Sequence, residues 1–177
     1  MKIISTDLSG VFEIENRVFT DHRGLFLKTF HETTFREAGL AAEFKESFYS
    51  ISTKGVLRGM HFQLPPHDHE KLVYVSHGEI LDVVVDIRPK SATFGDYFST
   101  ILSSDNQKSL YIAKGFAHGF LTLSKTATVM YSLSTVYSPD HDSGIRWNSF
   151  GFDWKEVDPI MSERDKSFLG LELFNEH

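Results

Sequence analysis

From Val11 to Tyr137 the chain is a succession of short runs that alternate apolar with polar residues, each closed by turn residues, and this rhythm constrains the fold more than any other feature. Period-two runs rich in β-branched and aromatic residues form half-buried strands. The reading predicts them at Val11–Thr20, Leu25–Phe30, Phe44–Ser52, Val56–Phe62, Lys71–Ser76, Glu79–Ile87, Asp96–Leu102, Leu110–Ile112, Phe120–Leu123 and Thr126–Tyr137. His77-Gly78 and Ser124-Lys125 predict hairpins between the runs they join. Thr33–Ala38, stopped by Gly39, is the best helix candidate, with Thr33 or Thr34 as its cap. Trp147–Asp165 has no clear period and is expected to pack as loops over the rim. So many evenly spaced strands in 177 residues predict one all-β domain covering 1–177, a double-sheet jelly roll with short peripheral helices.

Composition removes several function classes. The formal charge is −6, against the basic face that nucleic acid requires, so an anionic ligand must be met by a local cluster. There is no cysteine, hence no thiol redox chemistry and no thiolate metal site. The apolar runs are too short to span a bilayer, and MKIISTDLSG lacks the apolar core of a signal peptide. The expectation is a cytoplasmic protein with no membrane contact.

Chemistry concentrates in GVLRGMHFQ, residues 55–63, and its continuation to Lys71. At period two, Arg58, Met60 and Phe62 share one strand face while Leu57, Gly59, His61 and Gln63 share the other. A histidine among apolar neighbours stays neutral near neutral pH, because burial penalises its charged form, and a neutral imidazole is a base. A lone strand histidine is more often a core residue bonded to one carbonyl. The cations at 58 and 71 argue instead for a site.

Together with DHRG, KLVYVSHGEILDVVVDIR, SATFG, KGFAHGF and SERD, this block resembles the dTDP-4-dehydrorhamnose 3,5-epimerase family over roughly Phe19 to Asp165. The resemblance implies a cupin-type jelly roll. It also implies an epimerase of a nucleotide-linked 4-keto-6-deoxy sugar, needing no cofactor and serving deoxysugar and surface polysaccharide synthesis. Removing a proton beside a ketone and returning one to the other face requires a base, an electrophile for the enolate oxygen, and an acid opposite. The residues supply His61, Lys71 and Tyr131 for these roles, and the resemblance implies the same base. It adds Asp165 as the partner that orients His61, and His118 as a substrate contact. Arg58 and Arg23 are implied for the diphosphate, with Phe26 and Phe19 as platforms. Without the family, Asp165 reads equally well as a solvated aspartate, Tyr131 as a packed strand tyrosine, and the arginines as surface ion pairs.

Several positions depart from the family. Lys28, Glu46 and Phe48 stand where thymidine-binding members have a glutamate and a Q-x-N pair, so CDP- or GDP-linked substrates become alternatives to dTDP. Val136 replaces a frequent tyrosine and is followed by Tyr137, which leaves C-3-only or C-5-only action open. A metal is not expected. His67-x-His69 and the 113–118 block mimic a metal motif, but Lys71 occupies the glutamate position and an ammonium repels a divalent ion. Competing readings are a 3,4-ketoisomerase and a non-catalytic sugar-binding jelly roll. The sheet edges and the aromatic N-terminal strand suggest a partner chain, and the resemblance implies a homodimer in which an N-terminal strand crosses to the neighbour.

Overall fold

The computed structural model describes residues 1–155 and 158–176. In chain order its strands are β1 (Lys2–Ser5), β2 (Val11–Glu15), β3 (Arg17–Asp21), β4 (Gly24–Lys28), β5 (Glu46–Thr53), β6 (Leu57–Gln63) and β7 (Lys71–His77). After these come β8 (Glu79–Asp86), β9 (Tyr97–Ser103), β10 (Lys108–Ile112), β11 (Phe116–Thr122), β12 (Thr126–Leu133) and β13 (Asp142–Gly144). Two short helices are α1 (Glu32–Glu37) and α2 (Glu163–Lys166). One sheet has the order β1-β2-β10-β7-β12-β5 and the other β13-β6-β11-β8-β9, while among the described residues β3 and β4 pair only with each other. This is the expected double-sheet jelly roll.

The core between the sheets draws on both: Val73 and Val129 from the six-stranded sheet meet Ile80, Val84 and Phe120 from the five-stranded one. The outer face of the five-stranded sheet is also buried, because Leu57, Met60 and Val83 pack under Ile145, Phe150 and Trp154. With both faces covered, β8 is buried almost without alternation, Asp82 and Asp86 included. Trp147, Phe150, Phe152 and Trp154 therefore lie on a sheet face rather than over the rim. A third cluster joins Ile14, Leu72 and Tyr111 to Phe35 of α1 on the outer face of the six-stranded sheet.

Both expected hairpins are corners between sheets. β7 and β12 belong to the six-stranded sheet, β8 and β11 to the other, so each short turn reverses the chain into the facing layer. A turn signal specifies the reversal and not the sheet that receives it. The corners brace one another, since the Glu79 N–H donates to Ser124 Oγ at 2.8 Å. The expected strand at 11–20 is two strands. Asn16 interrupts it by donating to the Gln107 carbonyl at 2.8 Å and to Ser109 Oγ at 2.6 Å, and the chain leaves the sandwich as the β3–β4 ribbon. The helix starts one residue earlier than expected, with His31 at the N-cap and no side-chain cap; Thr34 contacts His31 Nδ1 instead.

Candidate active site

The site begins with an irregularity in β6. His61 pairs with His118, but Arg58 pairs with Phe120, so the register shifts between them. Gly59 makes this possible: its φ is +140°, and a Cβ there would sit 2.5 Å from Gly119 Cα. The extra residue resets the alternation. Leu57, Met60 and Phe62 enter the outer apolar cluster, whereas Arg58, His61 and Gln63 all line a cavity of about 260 Å³ between the sheets. Strict period two, which puts Arg58 and His61 on opposite faces, is corrected by this bulge.

Asp165 lies directly beneath it. One carboxylate oxygen is 2.8 Å from His61 Nε2, and the other accepts the Gly59 N–H at 3.1 Å. Burial pushes this carboxyl up, but hydrogen bonding and charge from His61, with the Gly59 N–H and Ser162, outweigh it and hold the group below its ordinary range. Asp165 is placed by α2, whose N-cap Ser162 accepts the Asp165 N–H at 3.1 Å. Beside His61 on β11, His118 Nε2 lies 2.9 and 3.0 Å from the two oxygens of Asp82 on β8. Burial lowers the His118 pKa against the pull of Asp82.

The six-stranded sheet supplies the opposite wall. Lys71 opens β7 and donates to the His61 main-chain carbonyl at 3.1 Å. Burial brings its pKa down to about 8, with Asp82 and Asp142 opposing. Tyr131 on β12 faces the same cavity, its ring centroid 6.3 Å from that of His118 and stacked on Phe48 at 4.8 Å. Burial raises its pKa, so the phenol holds its proton throughout the neutral range. Glu46 and Phe48 of β5 complete this wall. Arg58 lies at the edge, its Nε donating to Ser52 Oγ at 2.9 Å.

Of the expected residues, the fold brings His61, Lys71, Tyr131, Asp165, His118, Arg58, Glu46 and Phe48 together, Asp165 as the support of His61. Arg23, Phe26 and Lys28 lie instead on the β3–β4 ribbon, outside this cavity. Arg23 is solvent-exposed and paired with Asp21 at 2.5 Å. Asp82 and Arg164 were not expected at the site, while Gln63 and Tyr137 were noted in the sequence without a site role. Asp82 carried a signal, as a carboxylate inside the apolar run ILDVVVD, and it is fully buried. His67 and His69 diverge: His69 lines the cavity while His67 packs on His141 with ring centroids 4.3 Å apart. Among the described residues no three His, Asp or Glu side chains converge as metal ligands.

A histidine-bearing strand faces a phenol and an ammonium across one cavity, and known proteins share the fold that carries them. The sequence profile of the dTDP-4-dehydrorhamnose 3,5-epimerase family matches residues 5–172. The dTDP-4-dehydrorhamnose 3,5-epimerase of Methanothermobacter thermautotrophicus is 44% identical over 175 residues, covering 96% of this chain and 94% of its own. The crystal structure of the Legionella pneumophila 3,5-epimerase in complex with dTDP-4-keto-L-rhamnose superposes with a TM-score of 0.92 at 36% identity, covering 97% of this chain and 93% of its own. ChmJ, a 3'-monoepimerase from Streptomyces bikiniensis solved with dTDP-quinovose, gives a TM-score of 0.92 at 28% identity, over 98% and 89%. The chain belongs to the dTDP-4-dehydrorhamnose 3,5-epimerase family and is an isomerase.

Proposed function

We propose that the protein epimerises a dTDP-linked 4-keto-6-deoxy sugar at C-3 and C-5 by proton abstraction beside the ketone. One observation carries this: His61 with Asp165 stands on one sheet, while Tyr131 and the Lys71 ammonium stand on the other, across a single narrow cavity. A sugar ring between the layers presents one face to the imidazole and the other to the phenol. His61 takes the C–H proton, the electron pair moves onto the ketone oxygen, and the Lys71 ammonium stabilises that enolate. Tyr131 returns a proton to the opposite face. Asp165 keeps the His61 ring oriented and favours the imidazolium that forms. His118, held from behind by Asp82, contacts the sugar. Tyr137 lines the cavity beside Val136, which supports action at both centres despite the departure at 136.

Arg58 binds the diphosphate, joined by Arg23 and Phe26 from a second copy of the chain. Among the described residues the ribbon of β3 and β4 pairs with no other strand, and it exposes Phe19, Leu25 and Phe26, with Phe26 61% accessible. β5 is the outer strand of its sheet, with Tyr49 and Ile51 exposed beside the cavity wall. A homodimer that exchanges these ribbons covers both surfaces and delivers Arg23, Phe26 and Lys28 to the neighbour. The CDP or GDP alternative rests on Glu46 and Phe48 in the cavity wall and on Lys28 of the ribbon. Incubation with dTDP-, CDP- and GDP-linked 4-keto-6-deoxy sugars in heavy water, read by NMR, tests the reading. Deuterium entering C-3 and C-5 of the dTDP sugar is expected, and no exchange with any of the three overturns it.

A further inference from the structure

The main chain around Tyr137 is held by side chains from both sheets. The Tyr137 N–H donates to Glu46 Oε2 at 2.5 Å. On either side, the Ser138 N–H donates to Gln63 Oε1 at 2.7 Å, and Gln63 Nε2 donates to the Val136 carbonyl at 3.4 Å. Three consecutive residues are thus gripped by two side chains, Glu46 from β5 of one sheet and Gln63 from β6 of the other. The segment is anchored at its flanks as well. The Ser134 N–H donates to the Glu70 carbonyl at 3.1 Å, and Ser138 Oγ lies 2.8 Å from His141 Nδ1. Tyr137 itself is 57% exposed and stands in the wall of the cavity.

A ring at the mouth of a pocket contributes to binding only when its backbone is already fixed, because ordering it on association costs affinity. We propose that Glu46 and Gln63 are positioning residues that clamp the Tyr137 main chain, so that its ring closes the mouth over the bound nucleotide sugar. The clamp rests on the functional reading above, since that reading supplies the ligand. It also gives Glu46 a task that needs no change of nucleobase: its carboxylate accepts a main-chain N–H and acts on substrate through Tyr137.

A double-mutant cycle between Glu46→Ala and Tyr137→Ala, with kcat and KM measured on the dTDP-linked 4-keto-6-deoxy sugar, tests this. Glu46→Ala is expected to raise KM about tenfold, the scale of one hydrogen bond to a charged group, with kcat within about twofold. Glu46→Gln, which keeps an acceptor oxygen for the Tyr137 N–H, is expected to reverse most of the KM rise of Glu46→Ala. In the Tyr137→Ala background, Glu46→Ala should change nothing further. If the two effects multiply, Glu46 meets the ligand directly and the clamp is wrong; an unchanged KM in Glu46→Ala overturns it too. An active parent with either result overturns only the clamp, whereas an inactive parent overturns the epimerase reading and the clamp with it.

Discussion

The Lys71 ammonium donates to the main-chain carbonyl of His61 at 3.1 Å, tying the first residue of β7 in one sheet to the middle of β6 in the other. The His61 imidazole and the Lys71 ammonium are thereby held in one cavity through the His61 main chain. The contact leaves the ammonium two further protons for an oxygen on the substrate.

Because burial brings the Lys71 pKa to about 8, its charge is lost over an accessible range. Turnover should therefore fall as pH rises through about 8, and Lys71→Met should lose roughly a hundredfold in kcat. Stability runs the other way. The folded pKa lies below the ordinary 10.5, so between about 8 and 10.5 the folded state binds fewer protons than the unfolded, and this group's contribution to stability rises with pH. A pH–rate profile alongside thermal melts checks both signs.

Asp165 bridges His61 and the Gly59 N–H. Asp165→Asn keeps the shape but removes the charge that favours the imidazolium, so kcat should drop on the order of a hundredfold or more with KM little changed. The wild-type carboxyl, held below its usual range, contributes stability that is present above the ordinary carboxylate pKa and lost as pH falls through the folded value. Asp165→Asn should flatten that acid limb in melts taken across pH.

Gly59 faces Gly119 across the bulge, and a Cβ on either would collide with the other strand. Gly59→Ala is expected to cost about 2–4 kcal/mol, combining overpacking with a positive φ that alanine resists. Denaturant melts measure the loss, which should be matched by reduced activity because the bulge aims both Arg58 and His61.

If the ribbon crosses to a partner, each complete site needs His61 from one chain and Arg23 from the other. Arg23→Ala and His61→Asn homodimers should both be poor enzymes. Co-refolding them should restore up to about a quarter of parental activity through mixed dimers carrying one intact site, the random-mixing fraction for symmetric pairing. No recovery would contradict ribbon exchange.

The strand positions were legible because each exposed or two-faced run keeps its own signal, and the RGxH block pointed straight to His61. Three features were not. The sheet assignment of β7, β8, β11 and β12 depends on which layer receives each corner, and residues such as His77-Gly78 encode only the reversal. The shared orientation of Arg58 and His61 depends on Gly59, where one extra residue shifts the strand by half a repeat. The Glu46 and Gln63 grip on Tyr137 joins residues 91 and 75 positions apart in sequence, and no local pattern carries it.

The central claim is that an imidazole and a phenol on facing sheets work on opposite faces of one sugar. Proton exchange in heavy water, followed by NMR for His61→Asn and Tyr131→Phe, tests it most directly. The account predicts that His61→Asn neither exchanges nor inverts while still binding nucleotide sugar. It predicts that Tyr131→Phe takes up deuterium with configuration retained, because the base still removes and returns a proton on its own face. Parental exchange in His61→Asn, or normal inversion in Tyr131→Phe, would contradict it.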